Sequence, residues 1–183
     1  TTNSSLNQAT EPMRIAILGN SGSGKSTLAQ WLARQTSAAL LDLDTVAWEP
    51  GQIAVARPTG VAEEEVRNFC RSHDAWVVEG CYANLLQASL DFEPRLVLLD
   101  PGLAQCLENC RARPWEPHKF ASKAEQEEHL EFLLAWVADY YQRNGEMSLA
   151  AHAALFAGYQ GAKHKLCQLP RLQPAQEQIL QWT

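Results

Sequence analysis

The order of apolar and polar residues along the chain predicts short buried strands that alternate with amphipathic helices. Five mostly apolar runs are too continuous for strands with one face in water, which is typical of a parallel sheet. These predicted strands are 14–18, 39–43, 76–79, 96–99 and 165–169. Helical apolar spacing is found over 25–35, 61–73, 102–111, 122–143 and 148–158. The alternation predicts an α/β fold, a five-stranded parallel sheet flanked by helices.

Length and composition favour a single domain. The chain has 183 residues, 46% of them hydrophobic, which is enough to bury a substantial core. No internal repeat or low-complexity block divides it. Residues 1–12 are polar and lack the charged and apolar regions of a signal peptide, so a flexible tail is predicted there. Residues 13–183 are predicted to form the domain.

Residues 19–27 carry the most specific motif in the sequence. They fit G-x-x-x-x-G-K-S/T, directly after the first predicted strand and before the first predicted helix. The glycines let the backbone turn so that successive N–H groups point at phosphate oxygens, and the following helix adds the positive end of its dipole. The motif predicts a P-loop that binds ATP through Gly19, Ser21, Gly22, Ser23, Gly24, Lys25, Ser26 and Thr27.

Two side chains of this loop have individual predicted roles. Lys25 is placed to reach the β- and γ-phosphates. The Ser26 hydroxyl is the expected protein ligand of a Mg²⁺ ion that bridges those phosphates, because Mg²⁺ prefers oxygen ligands. The alternative interpretation is a glycine-rich turn in which the Lys-Ser pair occurs by chance.

Carboxylates lie at the ends of three of the predicted strands. Asp42 and Asp44 end the second one, and ligands of open α/β sheets gather at the carboxyl ends of strands. We expect Asp42 to hold a magnesium-bound water, and Asp44 to accept the proton of an attacking hydroxyl or to hold the acceptor in line. A turn and helix-capping pair is the alternative. Glu79 is favoured over Asp100 as the metal-side acid, since Asp100 also suits a helix cap.

A basic, proline-broken segment follows the third predicted helix. Residues 111–123 contain four basic residues and one acidic residue, in a chain that is acidic as a whole. Such a segment suits a mobile lid that brings Arg111 and Arg113 to the charge on the transferred group and excludes water. The alternative is a solvated loop whose charges contribute nothing.

The remaining composition argues against several function classes. The formal net charge of -6 leaves no basic footprint for general nucleic-acid binding. The five cysteines are odd in number and lack C-x-x-C spacing, which indicates reduced thiols, and the histidines have no zinc-ligand spacing. No run of about 18 apolar residues predicts a membrane span. These features favour a cytoplasmic enzyme that binds neither nucleic acid nor membrane.

Together these motifs resemble the small P-loop kinases of the adenylate and shikimate kinase group, and most closely the bacterial topology modulation proteins. The similarity covers most of residues 13–183. It includes residues 44–51, similar to that group's Asp followed by Trp-x-Pro, and residues 76–82, similar to its Trp-apolar-apolar-Asp-Gly-Asn-Tyr. The resemblance implies a five-stranded parallel sheet with an acceptor-binding insertion over 48–73 and a lid over 111–123.

Departures from that group bear on the acceptor. Glu79 stands where the group usually has an aspartate. Adenylate kinases carry an arginine in a Phe-Pro-Arg run after this position, but Cys81 and Tyr82 follow here, and the lid has fewer arginines than the group's. A nucleoside-monophosphate acceptor is therefore disfavoured, because its phosphate requires fixed bidentate donors.

Candidate acceptor contacts lie in and beside the predicted insertion. Arg57, Arg67 and Arg71 are its cations. Trp48 and Tyr82 are candidates for stacking or edge contacts with the acceptor. The alternative for Arg67 and Arg71 is a solvated helix face with glutamates upstream, and Trp48 equally suits packing beneath the insertion.

Two function classes remain open. The first is an ATP- and Mg²⁺-dependent kinase that transfers the γ-phosphoryl group to a hydroxyl of a small polar acceptor, with the adenine between Arg111 and Arg171. The second is a nucleotide-binding regulatory protein with slow ATP hydrolysis and no small acceptor. A GTPase is disfavoured, because the chain has no N-K-x-D run. Neither the acceptor nor the oligomeric state follows from the sequence.

Overall fold

A five-stranded sheet forms the centre of the protein. The computed structural model describes residues 11–52, 55–117 and 120–169. All neighbouring strands pair in parallel, in the order β2-β3-β1-β4-β5. The strands are β1 (Arg14–Gly19), β2 (Ala39–Asp42), β3 (Trp76–Gly80), β4 (Arg95–Leu99) and β5 (Lys163–Leu166). The predicted fold class is therefore confirmed.

Within the described residues, seven helices connect these strands. They are α1 (Lys25–Thr36), α2 (Asp44–Ala47), α3 (Thr59–Ser72), α4 (Ala83–Leu90), α5 (Leu103–Arg111), α6 (Lys123–Asp139) and α7 (Leu149–Gly158). None of the helices in this part of the chain is both long enough and apolar enough to span a bilayer.

The central strands are buried on both faces, so alternate side chains enter two separate cores. Ile15 and Ile17 of β1 pack with apolar residues of α1. Ala16 and Leu18 point to the opposite face and join the core formed with α3 and α4. This two-sided burial explains why the strands are near-continuous apolar runs rather than alternating ones.

Helices α2 and α4 were not predicted from the sequence. Helix α2 has four residues, which is too short to show a helical period. Helix α4 has only eight residues, five of them buried, so its apolar spacing is too short to distinguish a helix from a buried strand.

Other bounds differ by a few residues. Strand β5 begins and ends earlier than the predicted 165–169, and α6 ends at Asp139 instead of residue 143. The predicted start of α6 is confirmed, because the Ser122 hydroxyl accepts a hydrogen bond from the Glu125 N–H (3.1 Å). The segment beyond α6 contains Gly145, whose positive φ of 96° favours glycine in this turn.

The strand order brings three functional segments to one edge of the sheet. Strand β3 lies between β1, which leads into the P-loop, and β2, which leads into α2. Asp42 and Glu79 are register partners on β2 and β3. A Cβ at Gly80 would lie 2.7 Å from the Cβ of Leu43, so glycine permits α2 to approach the end of β3 this closely.

We predict that Leu86→Ala lowers the free energy of unfolding by about 2–5 kcal/mol, because the substitution leaves a cavity in the core. Leu86 is 0% exposed, whereas Leu103, at the start of α5, is 36% exposed. Leu103→Ala is therefore the matched control, with an expected change of about 0.5 kcal/mol or less. Urea unfolding measures both variants, and equal losses would contradict the burial assigned to α4.

Candidate active site

The P-loop is held in place by α5 as well as by its own turn. Gly22 and Gly24 have left-handed φ values of 77° and 93°. A Cβ at Gly22 would lie 2.4 Å from the carbonyl oxygen of Cys106, so no other residue fits this contact without displacing α5. The Asn109 side-chain amide donates to the Gly22 carbonyl (2.8 Å). Helix α5 thus fixes the loop backbone, a support that no motif in the sequence indicated.

The predicted phosphate-binding residues divide between a cavity wall and the layer beneath it. Gly19 and Ser23 are buried below the cavity surface, and the Ser23 hydroxyl has no hydrogen-bond partner in the described part of the chain. The others line a cavity of about 490 Å³, together with Asp44, Cys81 and Arg113. Its predicted P-loop members are Ser21, Gly22, Gly24, Lys25, Ser26 and Thr27.

Lys25 lies in this cavity among carboxylates. Its ammonium donates to the Asn20 carbonyl (3.3 Å). Burial alone would lower the pKa of Lys25, but the nearby Glu79 and Asp44 raise it above its ordinary value. Lys25 therefore carries a full positive charge at neutral pH, as a phosphate-binding group requires.

Ser26 and Glu79 meet directly. The Ser26 hydroxyl donates to Glu79 Oε1 (2.7 Å). Burial raises the pKa of Glu79, Lys25 lowers it, and Asp42 raises it again, leaving the pKa above its ordinary value. Asp42 stands beside Glu79 on the neighbouring strand. The pair of carboxylates and the hydroxyl form an all-oxygen donor set, which fits Mg²⁺ because this ion uses few protein ligands and keeps several waters.

Asp44 is oriented by a chain of hydrogen bonds. Its N–H donates to Asp42 Oδ1 (2.9 Å), so the two aspartates do form the local turn that begins α2. The Tyr82 hydroxyl donates to Asp44 Oδ1 (2.8 Å), and the Trp48 indole N–H donates to the Tyr82 oxygen (3.0 Å). Asp44 therefore takes part in the turn and also lines the cavity, with its carboxylate held in one orientation.

Asp100 is engaged on the other side of β1. Its Oδ1 accepts from the Gly102 N–H (3.3 Å) and from the Tyr141 hydroxyl (3.0 Å), and its Oδ2 lies 4.0 Å from Lys165 Nζ. Of the two acids left open by the sequence, Glu79 is the one hydrogen-bonded to the P-loop serine. Asp100 instead contacts the first turn of α5 and β5.

One of the two predicted lid arginines lines the P-loop cavity. That residue is Arg113, which also lies 3.7 Å from Glu116. Arg111, the last residue of α5, lines a neighbouring cavity of about 510 Å³, which Arg113 and Trp115 also line. Arg171, predicted to flank the adenine, lies outside the described residues. Arg113 is therefore the only one of these three arginines that the described structure places beside the P-loop.

A buried histidine that sequence analysis assigned to no role supports the loop after β3. His152 Nε2 lies 2.7 Å from the Cys81 carbonyl, which only accepts, so this nitrogen carries the proton. Nδ1 then accepts from the Tyr140 hydroxyl (2.9 Å). Burial lowers the pKa of His152 to about 4. Neutral His152 thus connects α7 and the residue that follows α6, Tyr140, to Cys81 in the cavity wall. The sequence pattern did not indicate this role, because a single histidine in an apolar helix has no distinctive spacing.

The fold is similar to that of solved small-molecule kinases. A shikimate kinase from Bacteroides thetaiotaomicron matches with a TM-score of 0.50 and 18% identity, over 92% of this chain and 98% of that one. A gluconokinase from Sinorhizobium meliloti 1021 matches with a TM-score of 0.52 and 14% identity, over 94% and 89% of the two chains. No protein-family model and no curated protein matches the chain. At these identities the similarity shows the P-loop kinase fold.

We predict that His152 makes the protein acid-sensitive. The folded pKa of about 4 lies below the ordinary value of 6.5, so the unfolded chain binds the proton first as pH falls. The free energy of unfolding should decrease between pH 6.5 and pH 4, by up to about 1.4 kcal/mol per pH unit from this residue, with no effect above pH 6.5.

Urea unfolding at several pH values, compared between the wild type and His152→Gln, measures this slope. His129→Gln is the control, because His129 is exposed. If His152→Gln does not fold, an NMR titration of the wild type gives the His152 pKa directly. An unchanged slope in a folded variant, or a titration midpoint near 6.5, would show that the prediction is wrong.

Proposed function

We propose that the protein is a kinase that transfers the γ-phosphoryl group of ATP to a hydroxyl of a small polar acceptor. The observation that carries the proposal is that Lys25, Ser26, Asp44 and Arg113 line one cavity at the carboxyl edge of the sheet. A phosphate-binding loop and a candidate base thus face the same space. The solved shikimate kinase and gluconokinase with this fold are consistent with a small acceptor.

The cations would bind and neutralise the transferred group. In this proposal Lys25 and the backbone N–H groups of residues 19–27 hold the β- and γ-phosphates. Arg113 stabilises charge on the phosphoryl group during transfer, and closure of residues 111–123 adds Arg111. Arg171 would contact the adenine, as the sequence predicts.

Ser26, Asp42 and Glu79 are the proposed magnesium residues. The Ser26 hydroxyl would coordinate the ion, with Asp42 and Glu79 holding its waters or an open ligand position. Bound Mg²⁺ would neutralise the phosphate oxygens and orient them. The Ser26–Glu79 hydrogen bond keeps these oxygens together in the structure described above.

Asp44 would act on the acceptor. Its carboxylate accepts the proton of the acceptor hydroxyl as that oxygen bonds to the γ-phosphorus and the bond to the β–γ bridging oxygen breaks, which releases ADP. The Tyr82 hydroxyl donates to Asp44 Oδ1 and so fixes the orientation of this carboxylate. Tyr82 therefore decides which way the base faces.

The alternative function is a nucleotide-dependent regulatory protein that hydrolyses ATP slowly without an acceptor. It would use the same P-loop, but it would give Asp44 no acceptor hydroxyl from which to accept a proton. We also propose, from the resemblance of residues 44–51 and 76–82, a relationship to bacterial topology modulation proteins. The acidic composition and the spacing of the cysteines are the grounds for proposing a cytoplasmic location.

We predict that Asp44→Asn reduces acceptor-dependent ADP release by about 100-fold or more, because the amide cannot accept the hydroxyl proton. ATP affinity should not fall, because the substitution removes none of the phosphate-binding groups of residues 19–27 and takes away a negative charge from the same cavity. The assay is ADP release with Mg-ATP across a panel of sugars, shikimate-like acids, nucleosides and nucleoside monophosphates.

Asp74→Asn is the control, because Asp74 is exposed at the opposite edge of the sheet. Equal ADP release with and without every acceptor, unaffected by Asp44→Asn, would contradict the kinase proposal. If Lys25→Ala then abolished ATP binding, the regulatory function would be favoured instead.

We predict that Glu79→Gln raises the Mg²⁺ concentration needed for half-maximal activity by about tenfold or more, because a carboxylate at the ion's ligand shell is lost. Nucleotide binding without Mg²⁺ should change much less. Titration of activity and of ATP binding with MgCl₂ separates the two effects. An unchanged Mg²⁺ requirement would remove Glu79 from the proposed metal site.

A further inference from the structure

The segment predicted from the sequence to bind the acceptor has arginines that are already paired. Residues 48–73 lead on from α2 and contain three arginines and four glutamates. The three arginines are Arg57, Arg67 and Arg71, and each of them forms an ion pair within the described structure. These are the side chains that would recognise a carboxylate or phosphate on an acceptor.

Arg57 is the arginine nearest in sequence to Asp44, and the backbone holds its segment against α2. Its N–H donates to the Ala47 carbonyl (3.0 Å), and the preceding residue, Ala56, pairs with Trp48. The Arg57 guanidinium forms an ion pair with Glu65 of α3, and the arginine side chain is only 13% exposed. A bound anion would have to displace this carboxylate.

Arg67 and Arg71 are neutralised along α3. Arg67 lies 3.9 Å from Glu63, 3.8 Å from Glu64 and 3.6 Å from Asp91. Arg71 lies 2.8 Å from Glu64 and also donates to the Asn68 side chain. The sequence left open whether these arginines bind an acceptor or form a solvated helix face, and their contacts match the solvated face.

Two aromatic side chains reach Asp44 through a chain of hydrogen bonds, whereas Lys25 and Arg113 of the same cavity are the cations assigned to the phosphates. Tyr82 donates its hydroxyl to Asp44, and Trp48 donates to Tyr82 while its ring stands edge-on to the phenol, with centroids 6.5 Å apart. Trp48 is 37% exposed, so part of the indole is open to a ligand. Aromatic surface with a hydroxyl suits the C–H faces and hydroxyls of an uncharged molecule.

We propose that the acceptor is an uncharged polyhydroxyl compound, of the sugar or polyol class, without a carboxylate or phosphate group. The proposal rests on the kinase function and adds its substrate class. An anionic acceptor would gain no unpaired arginine from residues 48–73, and it would meet a segment in which glutamates outnumber arginines.

Matched acceptor pairs test this inference. The members of each pair share their other hydroxyls and differ in one anionic group: sorbitol and gluconate, adenosine and adenosine monophosphate, methyl shikimate and shikimate. We expect kcat/KM for the neutral member of the best pair to exceed that of its anionic member by about tenfold or more. An anionic member that is used equally well or better would overturn the inference while leaving the kinase function intact.

Absence of turnover with every compound, with ATP binding retained, would instead overturn the kinase function and this inference with it. Failure of the substrate class and failure of the kinase function are therefore distinguishable. Acceptor-dependent ADP release is still observed when only the substrate class is wrong.

A charge variant tests the role of the paired arginines. Glu65→Gln releases Arg57 from its partner, so the ratio of anionic to neutral acceptor use should rise by about tenfold. Glu93→Gln makes the same change in net charge, and Glu93 is exposed just before β4, at the opposite edge of the sheet. A ratio that does not move in Glu65→Gln, or that moves equally in both variants, would overturn the assignment of Arg57.

Discussion

The hydrogen bond between Ser26 and Glu79 is the contact on which the site depends. It joins the start of α1 to the end of β3, and β3 is the strand that separates the P-loop strand from β2. Because Asp42 stands in register with Glu79, the pairing of β2 with β3 brings the second carboxylate to the same end of the sheet. A five-stranded sheet in another order would place these oxygens apart.

The site brings the carboxyl groups of Asp42 and Glu79 close together where Glu79 is buried. Burying charged groups lowers the stability of the fold unless an opposite charge lies nearby. Lys25 supplies that compensation, since its charge offsets the raised pKa of Glu79 and is itself favoured by Glu79 and Asp44. The arrangement is self-consistent in the free protein, and bound phosphates with Mg²⁺ would bring in additional charges of both signs. The structure is therefore arranged for a charged ligand before one is bound.

The sequence predicted most of this arrangement because parallel strands carry a strong and simple signal. The P-loop, the five strands and the position of Glu79 follow from apolar runs and one motif. The supports of the site did not follow: His152, Asn109 and Gly22 act through contacts between segments far apart in the chain. Local spacing carries no information on such contacts, and it missed α2 and α4 because both are too short to show a helical period.

The ion pairs of the arginines are a second feature that the sequence alone could not predict. The sequence alone did not distinguish whether Arg57, Arg67 and Arg71 bind an acceptor or form ion pairs on the surface. Their positions relative to the glutamates of α3 and to Asp91 favour the ion pairs. An exposed ion pair adds little stability, so these pairs are not required to hold α3 in place. Their consequence concerns recognition in the proposed kinase: with these arginines paired, Tyr82 and Trp48 are the candidate acceptor contacts that remain near Asp44. In that proposal the acceptor would be recognised by hydrogen bonding and aromatic contact, and the cations Lys25 and Arg113 of the cavity would serve the phosphates.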